Sequence, residues 1–162
     1  MNPRIEMLPT KKLVGLQMRM TMADNKTVAL WQTLMPRRTE IAARTSTDFI
    51  SMQVYDKDLD FATFHMHTPF QKWAAVEVAD FNNVPAGMET YTLEGGLYAV
   101  FIHKGKPERF PQTLKHIFVD WMPASGYALD AREHFEVLGE KYMRDSDESE
   151  EEVWIPIKKN TV

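Results

Sequence analysis

Near the carboxyl end, the run Glu151-Glu152-Val153-Trp154-Ile155-Pro156 sets carboxylates beside a tryptophan in a stretch apolar enough to be at least half buried. Side chains alternate along an extended chain, so Glu152 and Trp154 fall on one side and Glu151, Val153 and Ile155 on the other. The run His134-Phe135-Glu136-Val137-Leu138 has the same character, with Glu136 and Leu138 sharing a side. An unpaired buried carboxylate is costly, because desolvation raises its pKa until it protonates or finds a cation. An aromatic face attracts the same cation through its ring quadrupole, by roughly 0.5–2 kcal/mol. Carboxylate and apolar side chain on one strand face therefore describe a seat for an organic cation. The competing arrangement leaves both glutamates partly exposed and paired with a base such as Lys141, Arg132 or Lys158.

Other chemistries find less support. His65 and His67 would face one side if residues 61–68 formed a strand, but no third ligand stands at a suitable spacing, so a solvated strand edge is expected there and no metal. His103, His116 and His134 are scattered, and no G-x-S-x-G, P-loop or G-x-G-x-x-G signature accompanies them. Gly95-Gly96 reads as a turn or bulge. The acidic run RDSDESEE, residues 144–151, lacks the glycine and flanking helices of an EF-hand and reads as a solvated hairpin tip between the last two strands. The chain has no cysteine, which excludes disulfides, thiolate nucleophiles and Cys-based zinc sites and fits a reducing compartment. A net charge of -4 and a pI near 5.7 give no basic field for nucleic acid. The start MNPRIEMLPTKK has no apolar h-region, and no apolar run approaches the roughly 20 residues of a membrane span. A cytoplasmic protein that needs no cofactor and touches no membrane is expected.

The elements that must position the glutamates come from an internal repeat. Leu30–Pro36, LWQTLMP, lines up with Ile117–Pro123, IFVDWMP, so each half carries a helix that stops at Met-Pro. Strand-like runs precede each helix (KLVGLQMRM and LYAVFIH), and two more follow it: ISMQV and KWAAVEV, then HFEVL and EVWIPI. The order strand, helix, strand, strand occurs twice. It predicts one α+β domain over residues 1–162, built from duplicated βαββ units (5–79 and 88–158). These form an antiparallel sheet with two main helices on one face and a central ligand cleft. In this alignment Gln53 matches Glu136, Gln71 matches Glu152 and Trp73 matches Trp154, which leaves charge on only one side of the cleft and would orient a cation. Trp31 and Met35 share a face of the first helix, as do Phe118, Trp121 and Met122 on the second. Trp31, Phe118, Trp121 and Trp73, with Gln53 and Tyr55, are the expected cleft lining. Eleven methionines add an adaptable surface for ligands of different shapes.

The stretch VPAGMETYTLEGGLYAVFIHKG, the helix ending DWMPASGY, then HFEVLGEKY and EEVWIPIK together resemble the GyrI-like effector-binding domain found at the carboxyl end of AraC-type and multidrug-sensing bacterial regulators. The likeness covers nearly all the second half; the first third joins it only through the repeat. It implies a fold of two βαββ units whose cleft binds small organic molecules, often lipophilic cations. It also implies pocket carboxylates on the last two strands, with an aromatic two residues beyond the second. Glu136 and Glu152 match those positions, with Leu138 and Trp154 as neighbours. The resemblance leaves three readings open: a stand-alone binding module for cationic ligands, a hydrolase of strained-ring toxins using Glu136 or Glu152, or a gyrase-inhibitor type module with a protein partner. A homodimer is compatible with all three. At 162 residues the chain is expected to hold the effector domain without a helix-turn-helix, and replacing Glu136 by Gln is expected to leave the unliganded fold as stable or more so.

Overall fold

A computed structural model describes residues 1–161. Nine strands make one antiparallel sheet system: β1 (Arg4–Leu8), β2 (Lys11–Met20), β3 (Phe49–Val54), β4 (Phe70–Val78), β5 (Glu89–Leu93), β6 (Gly96–Lys104), β7 (Tyr127–Leu129), β8 (His134–Leu138) and β9 (Glu150–Lys159). Their order across the sheet is β1-β6-β9-β8-β3-β4-β2-β5, with β7 paired to β9. All six strand-like runs of the sequence reading are strands. The short strands β1 and β5 were not legible, because they are largely exposed and lack an apolar rhythm.

Helix α1 (Thr27–Leu34) opens where Asn25 Oδ1 accepts from the Thr27 N–H, and it buries Leu30 and Leu34, four residues apart, against the sheet. Pro36 ends the α-helical hydrogen bonding, and the chain tightens into a 3-10 turn, Met35–Glu40. Helix α2 (Phe110–Lys115) carries Pro111 in its first turn, where no N–H is needed. It widens into a π-helical stretch, His116–Trp121, and then closes through Met122–Ala124, again at Met-Pro.

Both helices cover the same face. Leu30 and Leu34 pack with Val14, Ala74, Val76 and Val78, while Ile117 and Met122 pack with Ala99, Phe101, Val153 and Ile155. The opposite face carries no helix, yet it buries a third cluster in which Trp73, Tyr98, Phe135 and Trp154 are the large members. Gly15 is needed where β2 crosses β4: a Cβ there would lie 2.0 Å from the Ala74 carbonyl oxygen and 2.7 Å from Ala75 Cα. Backbone of the paired strand cannot yield cheaply, so Gly15→Ala is expected to cost about 2–3 kcal/mol and lower Tm by roughly 5–10 °C in a thermal melt. Among the described residues no helix is long and apolar enough to cross a membrane.

Exchanging β1–β4 with β5, β6, β8 and β9 leaves the strand order unchanged, with the exchange axis between β3 and β8. Met52 lies opposite Trp73, and Phe135 opposite Trp154; Met52 and Phe135 face each other across the axis.

Candidate functional site

The helix-bearing face leaves the centre of the sheet, β3 and β8, between α1 and α2. Alternation fixes what points there. Ser51 pairs with Ala74 and with Glu136, and Gln53 pairs with Lys72 and with His134; all share the face of Ala74, under α1. Glu136 pairs with Val153 on β9, so Glu151, two residues before Val153, is its diagonal neighbour on the same face, with Cα atoms about 7–8 Å apart. Lys72, Gln53, Glu136 and Glu151 thus run diagonally across β4, β3, β8 and β9. Lys72 is 6% exposed. The Gln53 amide is oriented by its neighbours: its oxygen accepts from Lys72 Nζ at 2.5 Å and its nitrogen donates to Glu136 Oε2 at 3.3 Å and to the His134 carbonyl at 3.0 Å.

The charges are tuned by this burial. Desolvation raises the Glu136 pKa, opposed by the positive charge of Lys72 and the Gln53 hydrogen bond. Desolvation lowers the Lys72 pKa, opposed by Glu136 and Glu151. Glu151 is pushed up to about 7, first by desolvation and then by the like charge of Glu136. A carboxyl whose folded pKa exceeds its unfolded value stabilises the fold most when both states are protonated, and that contribution is lost as pH rises through the folded value. From about pH 5 to pH 8 the wild type should lose on the order of 1–3 kcal/mol more than Glu151→Gln in urea denaturation.

One end of this diagonal is covered by rings. Tyr55 meets Phe61 at 4.9 Å, Phe70 at 5.7 Å and His134 at 5.0 Å between centroids, and Phe61 stacks on His134 at 5.4 Å. Burial drives His134 down to about 3, so near neutral pH it is an uncharged aromatic wall. Burial and the nearby Glu136 raise the Tyr55 pKa, which keeps its hydroxyl a donor. Toward α1, Trp31 packs edge-on against Phe49 at 5.9 Å. His103, on the β9 side, is held by Thr113 Oγ1 at 2.7 Å and by the Lys106 carbonyl at 3.1 Å.

Several expectations need correction. Glu152 pairs with Val137 and with Ile102, and Trp154 with Phe135, so Glu152 and Trp154 project to the helix-free face, away from Glu136. The two glutamates do not share a cleft; the carboxylate that joins Glu136 is Glu151, which lies in β9 and not in a hairpin tip. Trp73 belongs to the same helix-free cluster as Trp154, packed edge-on against Tyr91 at 5.3 Å. Gln71, opposite Val54, also points away from the cleft. Nor is the first half uncharged, since Lys72 stands beside Gln53. Trp121 packs on Phe101 at 5.2 Å and stacks on Tyr127 at 6.2 Å, and Phe118 joins the same cluster, so both serve the α2 core. Residues 61–63 are a 3-10 turn, which removes the strand pairing His65 with His67. Glu152 does have a base as partner, but it is Arg4; Arg132 binds Asp130 and the carbonyls of Gly95, Leu97 and Ile157. Gln53, Glu136 and Leu138 lie on the helix-bearing face with Tyr55 at its end, and Leu138 lies opposite Phe49. Lys72, Glu151, Phe61 and His134 were missed, although an aromatic-rich connection of some fifteen residues between strands is itself a signal. Among the described residues no group of three or more histidines and carboxylates is placed to hold a metal.

A family model described as GyrI-like small molecule binding domain matches residues 1–158. The transcriptional regulator BrlR of Pseudomonas aeruginosa is 24% identical over 160 residues, which is 97% of this chain and 56% of BrlR, so the chain spans about half the length of that relative. Among solved structures, SAV2435 bound to tetraphenylphosphonium superposes with a TM-score of 0.75 at 16% identity, covering 98% of this chain and 94% of that one. The EcmrR C-terminal domain superposes with a TM-score of 0.66 at 17% identity, covering 98% of each. At these identities the structural likeness establishes the fold.

Proposed function

Because the chain belongs to the GyrI-like small molecule binding domain family, we propose that it binds a lipophilic organic cation in the central cleft between α1 and α2. The observation that carries this reading is the diagonal of Glu136 and Glu151, two acids on one face with their charges held back by burial. An incoming cation lowers that penalty by adding a second counter-charge to that of Lys72, while Tyr55, Phe61, His134, Leu138 and the Trp31–Phe49 pair offer apolar surface. Tetraphenylphosphonium, the ligand of the related SAV2435 structure, is a permanent lipophilic cation and supports the choice of class. The βαββ halves, 5–79 and 88–158, are proposed as duplicated units, a reading favoured by the exchangeable strand order. A cytoplasmic location is proposed with it, from the sequence features alone.

The test is calorimetric titration with tetraphenylphosphonium and with triphenylphosphine oxide, a neutral molecule of similar bulk. The cation is expected to bind at least about tenfold more tightly, and its affinity to rise between pH 6 and 8 as Glu151 ionises, while the neutral ligand stays flat. Equal affinities with no pH dependence would set the cationic reading aside.

A second reading has its own observation: Glu151 near pH 7 is matched to accept or donate a proton at neutral pH. In a hydrolase it would serve the addition of water to a strained ring. Turnover of a cyclopropanoid substrate that disappears in Glu151→Gln distinguishes this from binding alone.

A further inference from the structure

At the end of β3 opposite Tyr55, the helix-bearing face carries two arginines that the central diagonal does not use. Ala43 holds φ at 61°, in the left-handed region that a residue with a Cβ rarely adopts. With that turn the Ala43 carbonyl accepts from the Ala79 N–H at 2.9 Å and Arg44 bridges to Val78, so the Arg44 side chain shares the face of the α1 cluster. Its guanidinium carbon lies 4.7 Å from the centroid of the Phe49 ring, which Trp31 meets edge-on from α1. Nη2 of Arg44 donates to the Asp48 carbonyl at 3.1 Å, while its Nε is buried without a hydrogen-bond partner. Arg38, in the 3-10 turn that follows α1, donates through Nη1 to the Met35 carbonyl at 2.6 Å. Burial first, and then the like charge of Arg38, lower the Arg44 pKa against a weaker opposing pull from Asp48. Among the described residues neither arginine forms an ion pair.

We propose that Arg44 and Arg38 form an anion seat for the carboxylate of an aromatic acid, with Trp31, Phe49 and Leu138 as the floor for its ring. Two neighbouring cations without carboxylate partners favour a bound anion, whose charge offsets both their mutual repulsion and the burial of Arg44. The outer end of the Arg44 guanidinium, Nη1 and Nη2, presents two parallel N–H groups that match the two oxygens of a carboxylate. Phe49 sets the plane of that fork from below. Half-buried Trp31 and Leu138, the latter opposite Phe49, continue the apolar surface beside it. An inorganic anion would leave that surface uncovered, which is why the acid is an aromatic one. The strained Ala43 fits the same role, since strain persists where the surrounding structure fixes a residue, and here it holds Arg44 over Phe49. The seat needs neither Glu136 nor Glu151, so it stands whether or not the diagonal takes a cation.

Calorimetric titration of the full-length protein with 2-naphthoate tests the proposal, with 2-naphthamide as the neutral control and inorganic phosphate as the anion without a ring. The naphthoate is expected to bind about tenfold more tightly than either. Arg44→Lys keeps the charge but loses the fork, and Arg38→Gln removes the second cation; each should weaken the naphthoate about fivefold or more and leave the amide within about twofold. Glu151→Gln should not weaken it. Arg38 is exposed, so Arg38→Gln should melt with wild type and decides the matter even where Arg44→Lys disturbs the fold. Equal affinity for naphthoate and amide, phosphate binding as tightly as naphthoate, an unchanged naphthoate affinity in Arg38→Gln, or a loss in Glu151→Gln would each overturn the proposal.

Discussion

Glu136→Gln is expected to weaken a lipophilic cation about ten- to a hundredfold in calorimetry while changing a neutral ligand of the same bulk by less than about twofold, since a charge-assisted contact contributes roughly 1.5–3 kcal/mol. Glu151→Gln should cost less, because Glu136 persists, and it should abolish the rise in affinity between pH 6 and 8. The pair acts on one cation, so the double variant should lose more than either single but not the product of the two losses. The sequence alone suggests that the unliganded Glu136→Gln protein stays as stable as wild type. The structure reverses that expectation, because Lys72 is buried and joined to Glu136 through Gln53. Removing one member of a buried pair strands the other and costs up to about 3–5 kcal/mol, reduced to the extent that Lys72 sheds its proton. Denaturant midpoints of the two proteins check this directly.

Lys72→Met should act on binding in the opposite direction. Lys72 is the resident cation of the cleft, so its removal leaves Glu136 without internal compensation. At pH 8 the variant should bind a lipophilic cation about tenfold more tightly than wild type. Its unliganded stability should fall as pH rises through the raised pKa of Glu136, since the protonated acid is the form that tolerates burial. Saturating cation should recover much of the lost stability, by mass action on the folded state. Weaker cation binding in Lys72→Met would mean that the lysine itself holds the ligand, and that the ligand carries an acceptor in place of a positive charge.

Much of this architecture was legible in sequence. The repeated Met-Pro ends marked both helices, because proline interrupts helical hydrogen bonding whatever the tertiary context. Runs such as KWAAVEV and LYAVFIH marked central strands, because both of their faces are covered. Within β9, alternation correctly separated Glu151 from Glu152 and Trp154. It could not tell which of those sides meets Glu136: alternation is a property of one strand, and facing between strands depends on register. The register that sets Glu136 opposite Val153, and not opposite Glu152, is fixed by long-range packing of Phe135 on Trp154 and of Val153 under α2. Lys72 escaped for a related reason. A lysine inside an otherwise apolar strand reads as an end or an edge until its partner, Gln53 on the next strand, is known. Arg4 was invisible as a partner of Glu152 because 148 residues separate them.

A crystal structure of the protein with tetraphenylphosphonium tests the central claim most directly. The cation is expected on the helix-bearing face between α1 and α2, with its phosphorus nearest Glu136 and Glu151 and phenyl rings against Tyr55 and the Phe61–His134 stack. A fully occupied ligand found elsewhere, with Lys72, Gln53 and Glu136 still closed on one another, would contradict it.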